Sequence, residues 1–237
     1  MNTLLLGYGK MGKTIEAIAV ERGHKIAGRI DTTSERNAFS PAAKVDAAIE
    51  FSQPEAAVEN LKYCFDQGIP VVCGTTGWLD HKTEVEKYCL DKNGTLFYTS
   101  NFSLGVNIFF RVNEYLAQLM KNYSQYEISI EETHHTQKKD APSGTAISLA
   151  DGVVKHLERK KTWNLGTPSS GESIGIQSFR VDPDPGTHVV KYHSTVDDIE
   201  IRHKAHSRHG FALGAVLVAE WIKDKKGILT MKDFLGF

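Results

Sequence analysis

The chain has 237 residues, enough for one large domain or two modest ones with a sizeable buried core. Hydrophobic residues make up 41% and charged residues 24%, the balance of an ordinary globular protein. A formal net charge of −1 removes the electrostatic case for nucleic acid or an acidic membrane as the main partner. Cys64, Cys73 and Cys89 have no metal-type spacing and are odd in number, so reduced thiols in the cytoplasm are expected. A glycine turn ends the N-terminal apolar run within a few residues, which makes that run a buried strand and not a signal peptide. No apolar run approaches about 20 residues, so no membrane span is expected.

Leu4-Leu5-Leu6 opens the chain as a short strand, and Gly7-Tyr8-Gly9-Lys10-Met11-Gly12 follows at once. Ile15, Ile18, Ala19 and Val20 then fall at helical spacing up to Gly23, and Lys25–Ile30 reads as a second strand ending at Asp31. The alternation continues. Residues 47–51 predict a strand, 54–67 a helix with Pro54 in its first turn, 71–73 a strand, 80–92 a helix and 96–99 a strand. Strands alternating with helices imply a parallel sheet covered on both faces.

After about residue 102 the pattern changes. Residues 106–120 predict an apolar-rich helix. Tyr126, Ile128 and Ile130 then alternate with Glu127, Ser129 and Glu131 as a half-buried strand. A helix is expected over 143–160, strands near 172–181, 188–196 and 199–204 with a hairpin turn at Asp197-Asp198, and a last apolar helix over 211–223. The expected fold class is therefore α/β, a Rossmann-like dinucleotide-binding domain followed by an α+β domain with a mostly antiparallel sheet.

Gly7-x-Gly9-x-x-Gly12 gains its weight from context, since it follows a strand and opens a helix. Glycines admit a pyrophosphate to the backbone, and a helix N-terminus supplies free N–H donors and the positive end of its dipole. Asp31 lies roughly 20 residues on, where an acid accepts hydrogen bonds from the adenosine ribose. That carboxylate favours NADH. Arg29 and Arg36 are near enough in sequence to serve the extra phosphate of NADPH, so either cofactor stays open. The Gly74-Thr75-Thr76-Gly77 loop leaves the carboxyl end of a strand, the edge at which ligands bind in open α/β sheets.

The densest chemistry lies between Glu131 and Ala146. Two adjacent histidines, His134 and His135, and two lysines, Lys138 and Lys139, precede a helix entered through Pro142-Ser143-Gly144-Thr145. The N–H groups and hydroxyls of Ser143, Gly144 and Thr145, with the charge of Lys138, suit the carboxylate of a small molecule. A histidine beside them could supply a proton. No metal is expected, because adjacent strand residues point to opposite faces and no third ligand stands at a usual spacing. A solvated charged loop leading into a capped helix is the plainer alternative.

This stretch is similar to the signature of the dihydrodipicolinate reductase family, E-x-H-H-x-x-K-x-D-A-P-S-G-T-A. Further segments agree in the same order: Gly7–Gly12, Phe51–Ala56, Gly74–Gly77, Ser100–Asn107, Arg180, Pro185–His188 and His203–Arg208. The resemblance implies NADH- or NADPH-dependent reduction of 4-hydroxy-tetrahydrodipicolinate to tetrahydrodipicolinate in diaminopimelate and lysine biosynthesis. It implies His134 as proton donor and acceptor, Lys138 as the second catalytic residue, and substrate contacts at His135, Ser143, Gly144 and Thr145. It places the cofactor on Gly7, Tyr8, Gly9, Lys10, Met11, Gly12, Asp31, Gly74, Thr75, Thr76, Gly77, Thr99, Ser100, Asn101 and Phe102. It also implies a homotetramer, hinges near residues 101–103 and 208–211, and a division into a dinucleotide-binding domain (1–101 and 209–237) and a substrate-binding and oligomerisation domain (102–208). Two departures bear on the adenosine end: the chain is short between Asp31 and Val45, and Thr32 follows Asp31 where some members carry an arginine. Rival readings are an NAD-binding regulator without turnover, a related amino-acid dehydrogenase and a histidine-based metal hydrolase.

Overall fold

The computed structural model describes residues 1–40, 44–207 and 209–237. Part of the shortened stretch after Asp31, and Arg208 at the close of the His203–Arg208 segment, thus lie outside the described residues. The chain divides into two compact units, Met1–Ser103 with His209–Phe237, and Leu104–Arg208.

The first unit is built on strands β1 (Asn2–Leu6), β2 (Lys25–Ile30), β3 (Ala47–Glu50), β4 (Val71–Cys73), β5 (Thr95–Tyr98) and, late in the chain, β11 (Gly227–Leu229). They pair in the order β11-β5-β4-β3-β1-β2, every pair parallel. Successive strand residues are buried on opposite faces. Leu4, Leu6, Ala48, Val71 and Leu96 pack with Leu61, Phe65, Val85 and Cys89 of α3 (Pro54–Asp66) and α4 (Lys82–Asp91). Leu5, Ile49, Val72 and Phe97 are buried on the other side, where α1 (Lys10–Glu21) and α7 (His209–Ile222) lie. Burial on both faces explains why these strands read as continuous apolar runs. The three cysteines are buried as free thiols.

Three elements of this unit carried no clear sequence signal. Helix α2 (Thr33–Ala38) has no buried residue and stands on a capping box, in which the Thr32 hydroxyl accepts from the Glu35 N–H and Glu35 reaches back to the Thr32 N–H. Strand β11 has only three residues, and α8 (Met231–Leu235) ends the chain.

In the second unit, α5 (Leu104–Leu119) and α6 (Gly144–Val154) pack on one face of a sheet ordered β10-β9-β6-β8-β7. The strands are β6 (Glu127–His134), β7 (Thr162–Leu165), β8 (Ser173–Arg180), β9 (Thr187–His193) and β10 (Asp198–Lys204). The antiparallel expectation describes β6, β9 and β10, but β6, β8 and β7 pair in parallel, so the sheet is mixed. The reason is two successive crossovers: α6 carries the chain from the end of β6 back to the start of β7, and the loop over 166–172 carries it from the end of β7 back to the start of β8. Helix α6 stops at Val154, short of the expected 160, and the unforeseen edge strand β7 follows it. The turn between β9 and β10 is built by the Ser194 hydroxyl, which accepts from the Val196 and Asp197 N–H groups, so Asp198 already belongs to β10. Among the described residues, no helix is long and apolar enough to cross a membrane.

Candidate functional site

Strand β6 alternates with period two, and its buried face runs Ile128, Ile130, Glu132, His134. The two isoleucines enter the core, so the last two positions carry an acid and an imidazole to the edge of that core on the same face. Their neighbours come from both flanking strands, since Glu132 stands opposite Ser178 on β8 and opposite His188 on β9. Glu132 accepts the Ser143 N–H on both oxygens at 3.1 Å and the Ser178 hydroxyl at 2.8 Å. His134 Nδ1 and His188 Nε2 each approach it at 3.6 Å, and an Arg180 nitrogen at 3.8 Å. The two imidazoles meet edge to face, with centroids 5.0 Å apart.

Burial works to raise the Glu132 carboxyl, but the nearby His188 imidazole and the hydrogen bonds from Ser143 and Ser178 prevail and hold it at about 2. For His134 burial prevails and pushes the imidazole down to about 4. Glu132 pulls against that shift, and His188, Lys138 and Arg180 add to it. The site thus holds a charged carboxylate beside an imidazole that is neutral at neutral pH.

The predicted substrate residues divide into two groups. Ser143 caps α6, its hydroxyl accepting from the Ala146 N–H at 3.2 Å and lying 3.2 Å from His188 Nε2. Its own N–H goes to Glu132, so Ser143 anchors the turn, and the open first-turn N–H groups are those of Gly144 and Thr145. Lys138 lies in the loop after β6 and pairs with Asp140, both oxygens at 2.9 Å. Arg180 braces that loop by donating to the Lys138 and Asp140 carbonyls. His135 is half-buried just past the strand end.

Sequence reasoning missed Glu132 as a site residue and missed His188, which arrives from another strand. The alternation of β6 was the signal available for Glu132. His135 does not join His134, but two groups outside the spacing considered do: Glu132, His134 and His188 offer ligand atoms within 4.8 Å of one another. The carboxylate is already occupied by Ser143 and Ser178 and faces Arg180, which marks a hydrogen-bonding acid better than a metal ligand.

In the first unit the predicted cofactor residues follow the carboxyl ends of four strands: 7–12 after β1, Asp31 after β2, 74–77 after β4 and 99–102 after β5. The sheet order reverses between β1 and β3, which opens a crevice there for a ligand. Gly7 has φ +89°, and a Cβ on it would strike the Phe51 carbonyl at 2.2 Å, while one on Gly12 would strike the Gly7 carbonyl at 2.3 Å. A Cβ on Gly9 would meet nothing within 4 Å, and Gly9 caps α1 without a side-chain bond. The turn therefore leaves open backbone and free helix N–H groups where a pyrophosphate would lie. Asp31 accepts the Tyr8 N–H at 2.9 Å. Thr75 is buried, and its hydroxyl accepts from the Ser52 N–H, tying two loops together, whereas Thr76 and Gly77 are exposed. Thr99 exchanges hydrogen bonds with the backbone of Asn101.

Glycine turns and acids set out along the carboxyl edge of a parallel sheet in one unit, and an imidazole with a helix-capped turn in the other, mark a two-unit nicotinamide-dependent oxidoreductase. Comparison with known proteins narrows this class. Family models for the N-terminus and C-terminus of dihydrodipicolinate reductase match residues 1–102 and 105–235, and the chain belongs to that family. It is 49% identical to the 4-hydroxy-tetrahydrodipicolinate reductase of Christiangramia forsetii over 236 residues, covering 100% of this chain and 98% of the relative. It is 34% identical to the enzyme of the same name from Archaeoglobus fulgidus, with 96% of each chain covered. A solved dihydrodipicolinate reductase from Paenisporosarcina, with dipicolinate bound, shares the fold at a TM-score of 0.76 and 19% identity over 99% of both chains.

Proposed function

We propose that this chain catalyses the reduction of 4-hydroxy-tetrahydrodipicolinate to tetrahydrodipicolinate by NADH or NADPH, a step of diaminopimelate and lysine biosynthesis. The observation that carries the reading is the joint placement of His134 and the first turn of α6 around Glu132, in a chain of this family. The nicotinamide, when bound, supplies the hydride. The first-turn N–H groups of Gly144 and Thr145 hold one substrate carboxylate, and Lys138 and His135 meet the substrate beside it. Lys138 changes partner from Asp140 to the substrate. His134 delivers the proton that accompanies the hydride, and one water leaves as the hydroxyl group is lost, so the reaction balances at one hydride and one proton in and one water out. The charge of a dianionic substrate beside it raises the proton affinity of His134 above that of the resting protein.

NADH is the preferred cofactor in this reading. Glu35 accepts from the Asp31 and Thr32 N–H groups, which puts a second carboxylate next to Asp31. Arg29 is engaged by both oxygens of Glu16 through one edge of its guanidinium, Nε and Nη2, and Arg36 donates to Asn60 at 3.0 Å, so both nearby arginines are engaged. A 2′-phosphate would meet two carboxylates there. Assembly as a homotetramer belongs to the same proposal. The sheet face turned away from α5 and α6, which includes Thr133 and the exposed Phe179, is the surface for it, and sedimentation of the intact protein tests it.

The test of the activity follows loss of reduced-nicotinamide absorbance while a synthase generates the unstable substrate from pyruvate and aspartate semialdehyde. Synthase-dependent oxidation, inhibited competitively by dipicolinate and faster with NADH, is the expected result. Measurable NADH binding with no oxidation would return the chain to the regulator reading.

A further inference from the structure

We propose that Glu132 is a positioning residue of this site: its buried carboxylate anchors the first turn of α6 as a carboxylate cradle and sets the readiness of His134 to carry a proton, with His188 completing the anchor from β9. The proposal rests on the reading of His134 as proton donor. Glu132 is 1% exposed and donates nothing itself, yet receives hydrogen bonds from α6 and β8. Burying a carboxylate is costly unless donors surround it, so this one is held for a purpose that a neutral residue would not serve.

Two effects meet on that one group. Ser143 is gripped at its N–H by Glu132 and at its hydroxyl by His188, which fixes the helix end from which Gly144 and Thr145 face the ligand. The charged and titratable groups facing His134 are Glu132 on its own strand, His188 on β9, Arg180 on β8 and Lys138 in the following loop. Glu132 is the acid of that set. Without it the imidazole would be buried among cations and would surrender its proton at lower pH. The cradle and the proton donor therefore share a single support.

The experiment compares kcat against pH, at saturating NADH, for the wild-type protein, Glu132→Gln and Glu132→Asp, together with the KM of the dicarboxylate and the NADH Kd from fluorescence. In the wild type kcat falls as pH rises through the His134 titration. Glu132→Gln moves that fall to lower pH by about one unit or more and raises KM severalfold, while the NADH Kd stays unchanged. Glu132→Asp keeps the charge but withdraws it from Ser143, so the fall stays in place and KM rises. A fall unmoved in Glu132→Gln overturns the proposal, and so does an equal shift in both variants. If the glutamine variant does not fold, the aspartate variant decides, and a displaced fall or an unchanged KM there overturns the proposal. Absence of turnover in the wild type is a separate result that defeats the reductase reading itself.

Discussion

Burial leaves His134 uncharged in the resting protein, and that has a consequence for stability. The unfolded chain binds a proton on this imidazole below its ordinary value of 6.5, whereas the folded chain does so only near 4. The unfolded state binds more protons in this window, so stability is lost as pH falls from about 6.5 to 4. Glu132, held at about 2 against an ordinary 4.5, contributes stability above 4.5 that is lost as pH falls through the lower window. Urea midpoints measured from pH 7 down to 4 are expected to decline, and the decline should be shallower in His134→Asn, since an amide takes no proton there. Two substitutions probe the contacts of the site directly. Gly186 has φ +149°, and a Cβ on it would lie 3.2 Å from His134 Nε2, so Gly186→Ala should lower kcat about tenfold or more with NADH affinity intact. Asp140→Asn releases Lys138 from an exposed pair worth roughly 0.2–1 kcal/mol, so the KM of the dicarboxylate should fall up to about fivefold.

At the scale of the element, strand periodicity and caps explain most of what was readable. The glycine turn was legible because Gly7 and Gly12 each answer a separate steric demand, visible as contacts to Phe51 and Gly7, while Gly9 faces open space. Gly12→Val would drive α1 off β1 at the Gly7 carbonyl, and should weaken NADH binding by about a hundredfold or unfold the first unit, as circular dichroism and fluorescence titration together would show. Helix α2 was not legible, because six residues without a buried face leave no periodicity. Its stability comes from a local capping box, and Thr32→Ala should cost about 1 kcal/mol in urea unfolding. Strand β6 shows the opposite case. Its alternation predicted the strand, and carrying the same count four residues past Ile130 places Glu132 and His134 together on the buried face.

At the scale of the whole molecule, the chain returns to the first unit after the second is complete. Helix α7 covers the face that carries Leu5, Ile49, Val72 and Phe97. Residues 1–103 alone should therefore expose that face and fail to fold, while the same residues joined to 209–237 should fold and bind NADH, which circular dichroism and fluorescence can read. Composition, the glycine turn and the Glu131–Ala146 stretch were enough by themselves to determine an alternating α/β unit, a nucleotide turn and the chemistry expected after β6. Those signals are local, because periodicity and turn residues act over a few neighbours. Only the tertiary structure decided that half of the second sheet is parallel, that His188 and Ser178 flank Glu132, and that Arg29 and Arg36 are engaged by Glu16 and Asn60. Each of those depends on which strand or helix comes to lie beside another across tens of residues, and that pairing is set by the burial of whole faces together, a property no single stretch of sequence carries.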